Sequence, residues 1–333
     1  MRSKATWRLT TVLVGALVAA LLAEAQARAD PDPRPAENWR TDFSVHSIDL
    51  GEIRSGGPPR DGIPSIDHPQ FIAVADEARL SDRDPVIALV ADGEARAYPL
   101  AVLTWHEIVN DEIAGRPVAV TYCPLCNAAI VFDAMVDGQR LEFGTTGRLR
   151  NSDLIMYDRQ TESWWQQFTG EAIVGQMTGK KLRMLPATIV PWNRFRMRHP
   201  QGSVLVPNDP AARAYGRNPY AGYDSASRPF LYSGDLPAGI EPMARVVIVE
   251  GASGPFVVAL DHLREQGRVA KDGVVLSWQA GAASALDAAV ISQGRDVGFV
   301  TVTRDGTDIV HHVTFAFVAH AFHPEVAIEG AGK

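Results

Sequence analysis

The chain has 333 residues, 46% of them hydrophobic, with 32 basic against 39 acidic side chains and a formal charge of −7. That is apolar material enough for one large domain or two modest ones, and the acidic balance excludes the basic surface that non-specific binding to nucleic acid or an anionic membrane needs. Only two cysteines are present, which excludes a disulfide scaffold built from several well-separated pairs.

The N-terminus sets the expected compartment. Arg2, Lys4 and Arg8 precede an uncharged apolar run over residues 9–22, and small residues then recur as Ala25-Gln26-Ala27 and Ala27-Arg28-Ala29. The run is short for a bilayer span and a cleavage pattern follows it, so residues 1–29 read as an export signal that is removed, with an uncleaved membrane anchor as the lesser alternative. No second long apolar stretch follows. The expectation is a periplasmic or secreted bacterial protein with no transmembrane span after cleavage. Cleavage takes four basic residues and one acidic one, leaving 28 basic against 38 acidic side chains, a formal charge of −10.

Residues 30–59, rich in proline at their start and in Gly, Pro and Arg toward their end, read as a flexible leader. Residues 86–90 form a β-branched apolar run, and Ala91-Asp92-Gly93-Glu94 is a hairpin signal with a return strand over residues 95–98. Pro99 suits the first turn of a helix reaching about Asn110, apolar on most sides, with His106 among its apolar positions. A short strand over residues 118–122 delivers the cysteines. Two strands joined at Asp137-Gly138 and another over residues 154–157 follow. Residues 164–168 and 189–197 read as short helices, and residues 208–229 as an irregular stretch. The fold class is α+β and predominantly β, an antiparallel core with a few short helices. A first β-rich unit is expected over residues 60–235, a second over 236–325 and a tail over 326–333.

The second unit looks like a degenerate repeat of the first. Val118 to Tyr122 lines up without gaps with Val274 to Trp278, and at the same offset Gly138 meets Gly294 and Phe143 meets Phe299. The hairpin from Val86 to Leu100 resembles that from Val246 to Leu260. Each is followed by a predicted helix and a Gly-Arg pair, Gly115-Arg116 and Gly267-Arg268. The second copy has Gln279 and Ala282 where the first has Cys123 and Cys126, so the chemistry belongs to the first copy.

Thr121-Tyr122-Cys123-Pro124-Leu125-Cys126-Asn127 is the strongest chemical feature. Two thiols at this spacing converge on one point, which serves metal binding or thiol–disulfide exchange. A passive disulfide across so small a loop would add little stability. A thioredoxin-type motif must open a helix, and here a strand is expected next. Two thiolates do not complete a tetrahedral site. His106 and then His323 are the candidate nitrogen ligands, and a Cys/His mixture favours copper, then zinc, over hard cations. In the stretch from Arg150 to Gln167, Asp153 or Asp158 is a candidate proton acceptor, and Trp165 with Gln166 could line a pocket. Their local alternative is turn formation and an Asp158-Arg159 ion pair. His311-His312 lies on a predicted strand, where the rings point to opposite faces and make a poor chelate.

Several segments together resemble the bacterial domain-of-unknown-function family DUF3179. They are Gly93-Glu94-Ala95-Arg96-Ala97-Tyr98-Pro99-Leu100, Trp105-His106-Glu107-Ile108-Val109-Asn110-Asp111, Thr121-Tyr122-Cys123-Pro124-Leu125-Cys126, Asn151-Ser152-Asp153-Leu154, Met156-Tyr157-Asp158-Arg159, Gly216-Arg217-Asn218-Pro219-Tyr220 and Ala321-Phe322-His323-Pro324. The resemblance covers roughly residues 60–325. It implies an exported or envelope-associated protein and brings no established activity. It also implies that the first cysteine outlasts the second, which favours a thiolate site completed by histidine. Three functions are carried forward. The first is a metal site with Cys123, Cys126, His106 and His323 as ligands. The second is a periplasmic oxidoreductase with Cys123 attacking, Cys126 resolving and Asp153 as proton acceptor. The third is a non-enzymatic binding or scaffold module with a passive disulfide. None specifies its small-molecule or protein partner.

Overall fold

The computed structural model describes residues 38–332. The expected export signal and the first part of the leader lie outside the described residues. The chain is predominantly β and its sheets are mainly antiparallel.

The first hairpin pairs β1 (Pro85–Ala91) with β2 (Glu94–Pro99). Its turn has Asp92 at φ 48° and Gly93 at φ 89°, the two left-handed residues that a tight hairpin of the right twist needs. Helix α1 (Leu100–His106) follows Pro99, which is extended and caps it, and buries Leu100 through Thr104. The helix expected to reach Asn110 stops early. Glu107 turns the backbone at φ 58°, and β3 (Ile108–Ile113) then pairs with β4 (Arg116–Cys123). Next comes β5 (Ala128–Asp133), paired with β4 from Val118↔Asp133 to Cys123↔Ala128.

A second hairpin system is inserted here. It comprises β6 (Phe143–Arg150), β7 (Asp153–Asp158) and β8 (Trp164–Gln166), which pair in that order. The expected helix over residues 164–168 is therefore strand β8. Trp164 and Trp165 are both fully buried, and a strand can send adjacent aromatic residues into cores on opposite faces. Trp164 belongs to one core cluster and Trp165 to another. The described part of the leader is packed rather than flexible: Trp39, Phe43, Ile48 and Leu50 lie against Tyr157 and Trp164.

The chain then forms β9 (Ala187–Pro191), α2 (Trp192–Arg198) and β10 (Ser203–Val206). The expected helix over residues 189–197 begins only at Trp192, because residues through Pro191 continue the pairing of β9 with β1. The second half comprises β11 (Arg245–Gly251), β12 (Gly254–Ala259), α3 (Leu260–Gln266), β13 (Arg268–Lys271), β14 (Val274–Gln279), β15 (Phe299–Arg304), β16 (His311–Phe315), α4 (Ala316–Phe322) and β17 (Ile328–Glu329).

The same strand order occurs twice. Strands β9-β1-β2-β10 match β16-β11-β12-β17, and in each set the fourth strand runs parallel to the third; the first sheet continues beyond β10 with the antiparallel strand Gln70–Ala73. Sheet β5-β4-β3 matches β15-β14-β13. The β6-β7-β8 sheet has no second-half equivalent. With it the described residues form five sheets of four or five strands, besides a two-stranded ribbon, in a propeller-like arrangement, although the parallel pairs depart from a simple meander blade.

Two details of the expected repeat are corrected. Gly267 ends α3 as Glu107 ends α1, so Gly267-Arg268 corresponds to Glu107-Ile108 and not to Gly115-Arg116. Phe299 opens the strand paired with β14, so its counterpart is Ala128 and not Phe143. The reason is loop length: residues 280–298 join β14 to β15, whereas residues 124–127 join β4 to β5, and an ungapped alignment fails there.

The halves interlock. β9 of the first lies beside β15 of the second, and β16 of the second beside β5 of the first. One apolar core runs through both, joining Phe132, Met156 and Trp165 to Met243, Ile248, Phe315 and Phe317. This core supports the β4–β5 loop that carries both cysteines.

Candidate functional site

The β4–β5 loop closes on a turn in which the Asn127 amide donates to the Pro124 carbonyl at 3.1 Å, with Asn127 at φ 51°. Asparagine tolerates that left-handed conformation better than most residues. β5 follows at once, so no helix begins at the Cys-Pro-Leu-Cys segment. The second half pins the loop. Thr314 Oγ1 donates to the Cys126 carbonyl at 2.7 Å, the Phe315 amide to the same carbonyl at 3.3 Å, and Arg245 Nη1 to Asn127 Oδ1 at 3.3 Å.

The β6–β7 turn meets this loop from the other side. Asn151 and Ser152 both have positive φ, 54° and 61°. That tight turn delivers the Ser152 carbonyl and the Asp153 side chain to the thiols. Cys123 Sγ and Cys126 Sγ donate weakly to the Ser152 carbonyl at 3.8 and 3.5 Å. Ligand atoms of Cys123, Cys126 and Asp153 all lie within 4.8 Å of one another, and all three residues are buried. Asp153 Oδ2 accepts from Gln166 Nε2 at 2.6 Å and from the Phe168 amide at 2.8 Å. Its other oxygen, Oδ1, is buried with no hydrogen-bond partner among the described residues.

Burial governs the charge states. Both cysteines are free thiols, and desolvation pushes both thiol pKa values up, Cys126 well up. Desolvation also lifts Asp153 to about 6, against the opposing hydrogen bonds from Gln166 and Phe168. Glu107 is lifted further, to about 8, by burial and by the neighbouring Asp153. At neutral pH the two thiols and Glu107 keep their protons while Asp153 is largely ionised, so a cation bound here would displace the thiol protons and its uptake would strengthen with pH.

A cleft of about 400 Å³ adjoins the centre. Leu125 from between the cysteines, Leu154 next to Asp153, and Glu107 form part of its lining. Tyr220, Tyr223 and Phe230 come from the irregular segment that covers it. This segment is tied down at the centre. Tyr223 Oη donates to the Leu125 carbonyl at 3.1 Å, and Ser152 Oγ donates to the Phe230 carbonyl.

The structure brings Cys123, Cys126 and Asp153 together and places the histidines elsewhere. His106 Nδ1 is 2.8 Å from the Pro64 carbonyl and Nε2 is 2.8 Å from Tyr215 Oη, so both ring nitrogens are used. His323 caps α4 and lies near His312, outside the thiol cluster. Asp158 accepts from Thr161, both amide and hydroxyl, and from Trp165 Nε1 at 2.9 Å, which closes a loop. Trp165 is core, and Gln166 orients Asp153 instead of lining the cleft. Glu107 and Arg245 were not singled out from the sequence. The left-handed conformation of Glu107 has no single-residue signature, and Arg245 reads as an ordinary strand-end arginine.

The fold and the site define a β-rich protein with a buried Cys–Cys–Asp centre beside an aromatic cleft. The chain belongs to the family described as proteins of unknown function, DUF3179, whose family model matches residues 60–326. Neither a curated protein nor a solved structure matches it. Among the described residues no helix is long and apolar enough to cross a membrane.

Proposed function

We propose that this is an exported metal-binding protein whose Cys123, Cys126 and Asp153 take up one divalent ion, zinc before copper. The observation that carries the reading is the buried set of two sulfurs and a carboxylate within 4.8 Å, with Asp153 Oδ1 unpartnered. Bonds of about 2.3 Å to sulfur and about 2.0–2.2 Å to oxygen require only a small inward movement from that spacing. Three protein ligands leave a fourth position for water or a bound molecule, the arrangement of catalytic more than of structural zinc. Charge separates zinc from copper(I), the copper state that thiolates select. Two thiolates and a carboxylate carry three negative charges, and a divalent ion leaves one. Copper(I) leaves two and is satisfied by the thiolates alone, so the carboxylate would be unused. The same sulfurs could form a dithiol couple. Burial holds both sulfurs as thiols, which opposes exchange and ligation alike; the convergence of the Asp153 carboxylate on the two sulfurs, which exchange does not need, puts metal binding first.

The test is metal analysis of protein purified from the periplasmic fraction, with its N-terminus determined; Asp30 is expected there if the export reading holds. About one zinc per chain is expected. Cys123→Ser/Cys126→Ser should hold none, and Asp153→Asn should bind at least about tenfold more weakly, since losing a ligand costs no less than losing one of the outer groups that orient ligands. Equal metal content in the wild type and the double variant, or none after incubation with zinc, overturns the proposal. A reversible two-electron couple in a redox titration of the metal-free protein would favour the dithiol reading instead.

A further inference from the structure

Glu107 stands where the local backbone asks for glycine. Helices α1 and α3 occupy equivalent places in the two halves, and each ends in a residue of the same unusual conformation. Glu107 has φ 58° and ψ −34°, and Gly267 has φ 68° and ψ −35°. Glycine adopts this geometry freely, whereas a residue with a Cβ is strained in it. The second half uses the unstrained solution. The first half accepts the strain and adds a second cost, because the Glu107 side chain is buried at 7% exposure. Among the described residues its carboxyl has no hydrogen-bond or ion-pair partner. Neither cost serves the fold, as Gly267 shows, and strain retained in this way marks functional positions.

The surroundings indicate what the carboxyl is for. It lines the cleft. The influences on it are an apolar setting and a second acid, Asp153, with no cation among them. Arg148 also lines the cleft, but it has a contact of its own and does not act on Glu107. Aromatic rings that attract cations form one wall. The missing component is thus a positive charge carried on an apolar body. A cleft of about 400 Å³ accommodates a ring and a short chain.

We propose that the cleft binds a small amphipathic amine, its ammonium paired with the Glu107 carboxylate and its apolar body held among Leu125, Tyr220, Tyr223 and Phe230. This goes beyond the metal reading and stands without it, since Glu107 faces the cleft whether or not the thiol centre holds an ion.

Titration calorimetry with phenethylamine, phenethyl alcohol and hydrocinnamate tests it, on full-length mature protein of measured metal content. These probes share a body and differ in charge. At pH 8.5, above the value of about 8 to which burial lifts Glu107, the amine should bind at least about tenfold more tightly than the alcohol, the value of one charge-assisted contact, and hydrocinnamate should not bind. Glu107→Gln should abolish the preference for the amine while leaving the alcohol's affinity unchanged. Phe230→Ala should weaken amine and alcohol alike. Equal affinities for amine and alcohol, binding of none of the probes, or a preference that survives Glu107→Gln would each overturn the inference. Amine binding by protein that takes up no metal would leave it standing while the metal reading fails.

Discussion

At the scale of single residues, Glu107 is the point where fold and site compete. Its backbone conformation suits glycine and its side chain is buried with no partner for the carboxyl among the described residues, so its replacement tests both costs. In the metal-free protein, Glu107 is protonated in folded and unfolded chains alike below the ordinary glutamate pKa. Between there and about 8 the unfolded chain ionises while the folded one holds its proton. The folded pKa is raised, so stability falls as pH rises through that window. Glu107→Gln removes this dependence. Its thermal midpoint should match that of the wild type near pH 5 and exceed it by several degrees near pH 8.5, as read by differential scanning calorimetry. Midpoints that track each other across the whole range would show that Glu107 is not held neutral by the fold. Asp153 carries the same sign over a lower window, from the ordinary aspartate value to about 6, so the Glu107 effect is cleanest above pH 7. Neither carboxyl could be assigned this role from composition or spacing. Asp153 stood out in the sequence because short polar residues cluster around it, whereas Glu107 sat in an apolar segment that read as continuous helix.

At the scale of elements, the site is a meeting of two turns held from behind. The β4–β5 loop brings the thiols and the β6–β7 turn brings Asp153. Strands β11 and β16 of the second half then lock the first loop through Arg245, Thr314 and Phe315. Arg245 is the central tie. It reaches Asn127 in the loop, Ser284 Oγ at 2.7 Å and Asp224 Oδ2 at 3.1 Å, and Arg295 completes the cluster on Asp224 at 2.8 Å. Asp224 is buried, and its pKa is held down by Ser284 and the two guanidinium groups against its own desolvation. Arg245→Met leaves Asp224 short of a partner and frees Asn127. Removing one member of a buried pair costs about 3–5 kcal/mol. Arg295, which is partly exposed, should hold the loss to the lower part of that range. Denaturant unfolding should show this loss for Arg245→Met and a smaller one for Arg245→Met/Asp224→Asn. A double variant no more stable than the single one would mean that the charge on Asp224 is not what Arg245 neutralises. In the sequence the hairpins were legible from their turns, Asp92-Gly93 and Asp137-Gly138, because left-handed residues have a narrow vocabulary. The ends of α1 and β8 were not legible. An apolar run reads equally as buried helix or buried strand, and only its partner decides.

At the scale of the whole molecule, the two halves share strand order, and each has a cluster of its own, around Val258 and Leu276 in the second half and around Tyr157 and Trp164 in the first. The core beneath the site is shared: Phe132, Met156 and Trp165 pack with Ile248, Phe315 and Phe317, so separating the halves exposes it. A fragment covering residues 38–235 should therefore lack cooperative thermal unfolding and expose its amides to rapid hydrogen exchange. Mixing it with residues 236–332 should restore a single transition. A fragment that unfolds cooperatively by itself would show that the β6-β7-β8 sheet and its packed leader suffice for a core.

The sequence by itself determined a β-rich chain, its family, the thiol pair on a strand-borne loop, and the absence of those thiols from the second copy. These are local or repetitive signals, set by turn chemistry, alternation and motif spacing. Only the tertiary structure decided what joins the thiols. The bonded neighbours of His106 satisfy both its nitrogens before it can turn to a metal, whereas Asp153, 27 residues after Cys126 in the chain, is carried to the sulfurs by a turn in a different sheet. Ligand sets are assembled across sheets, and the register that brings them together depends on the packing of both halves.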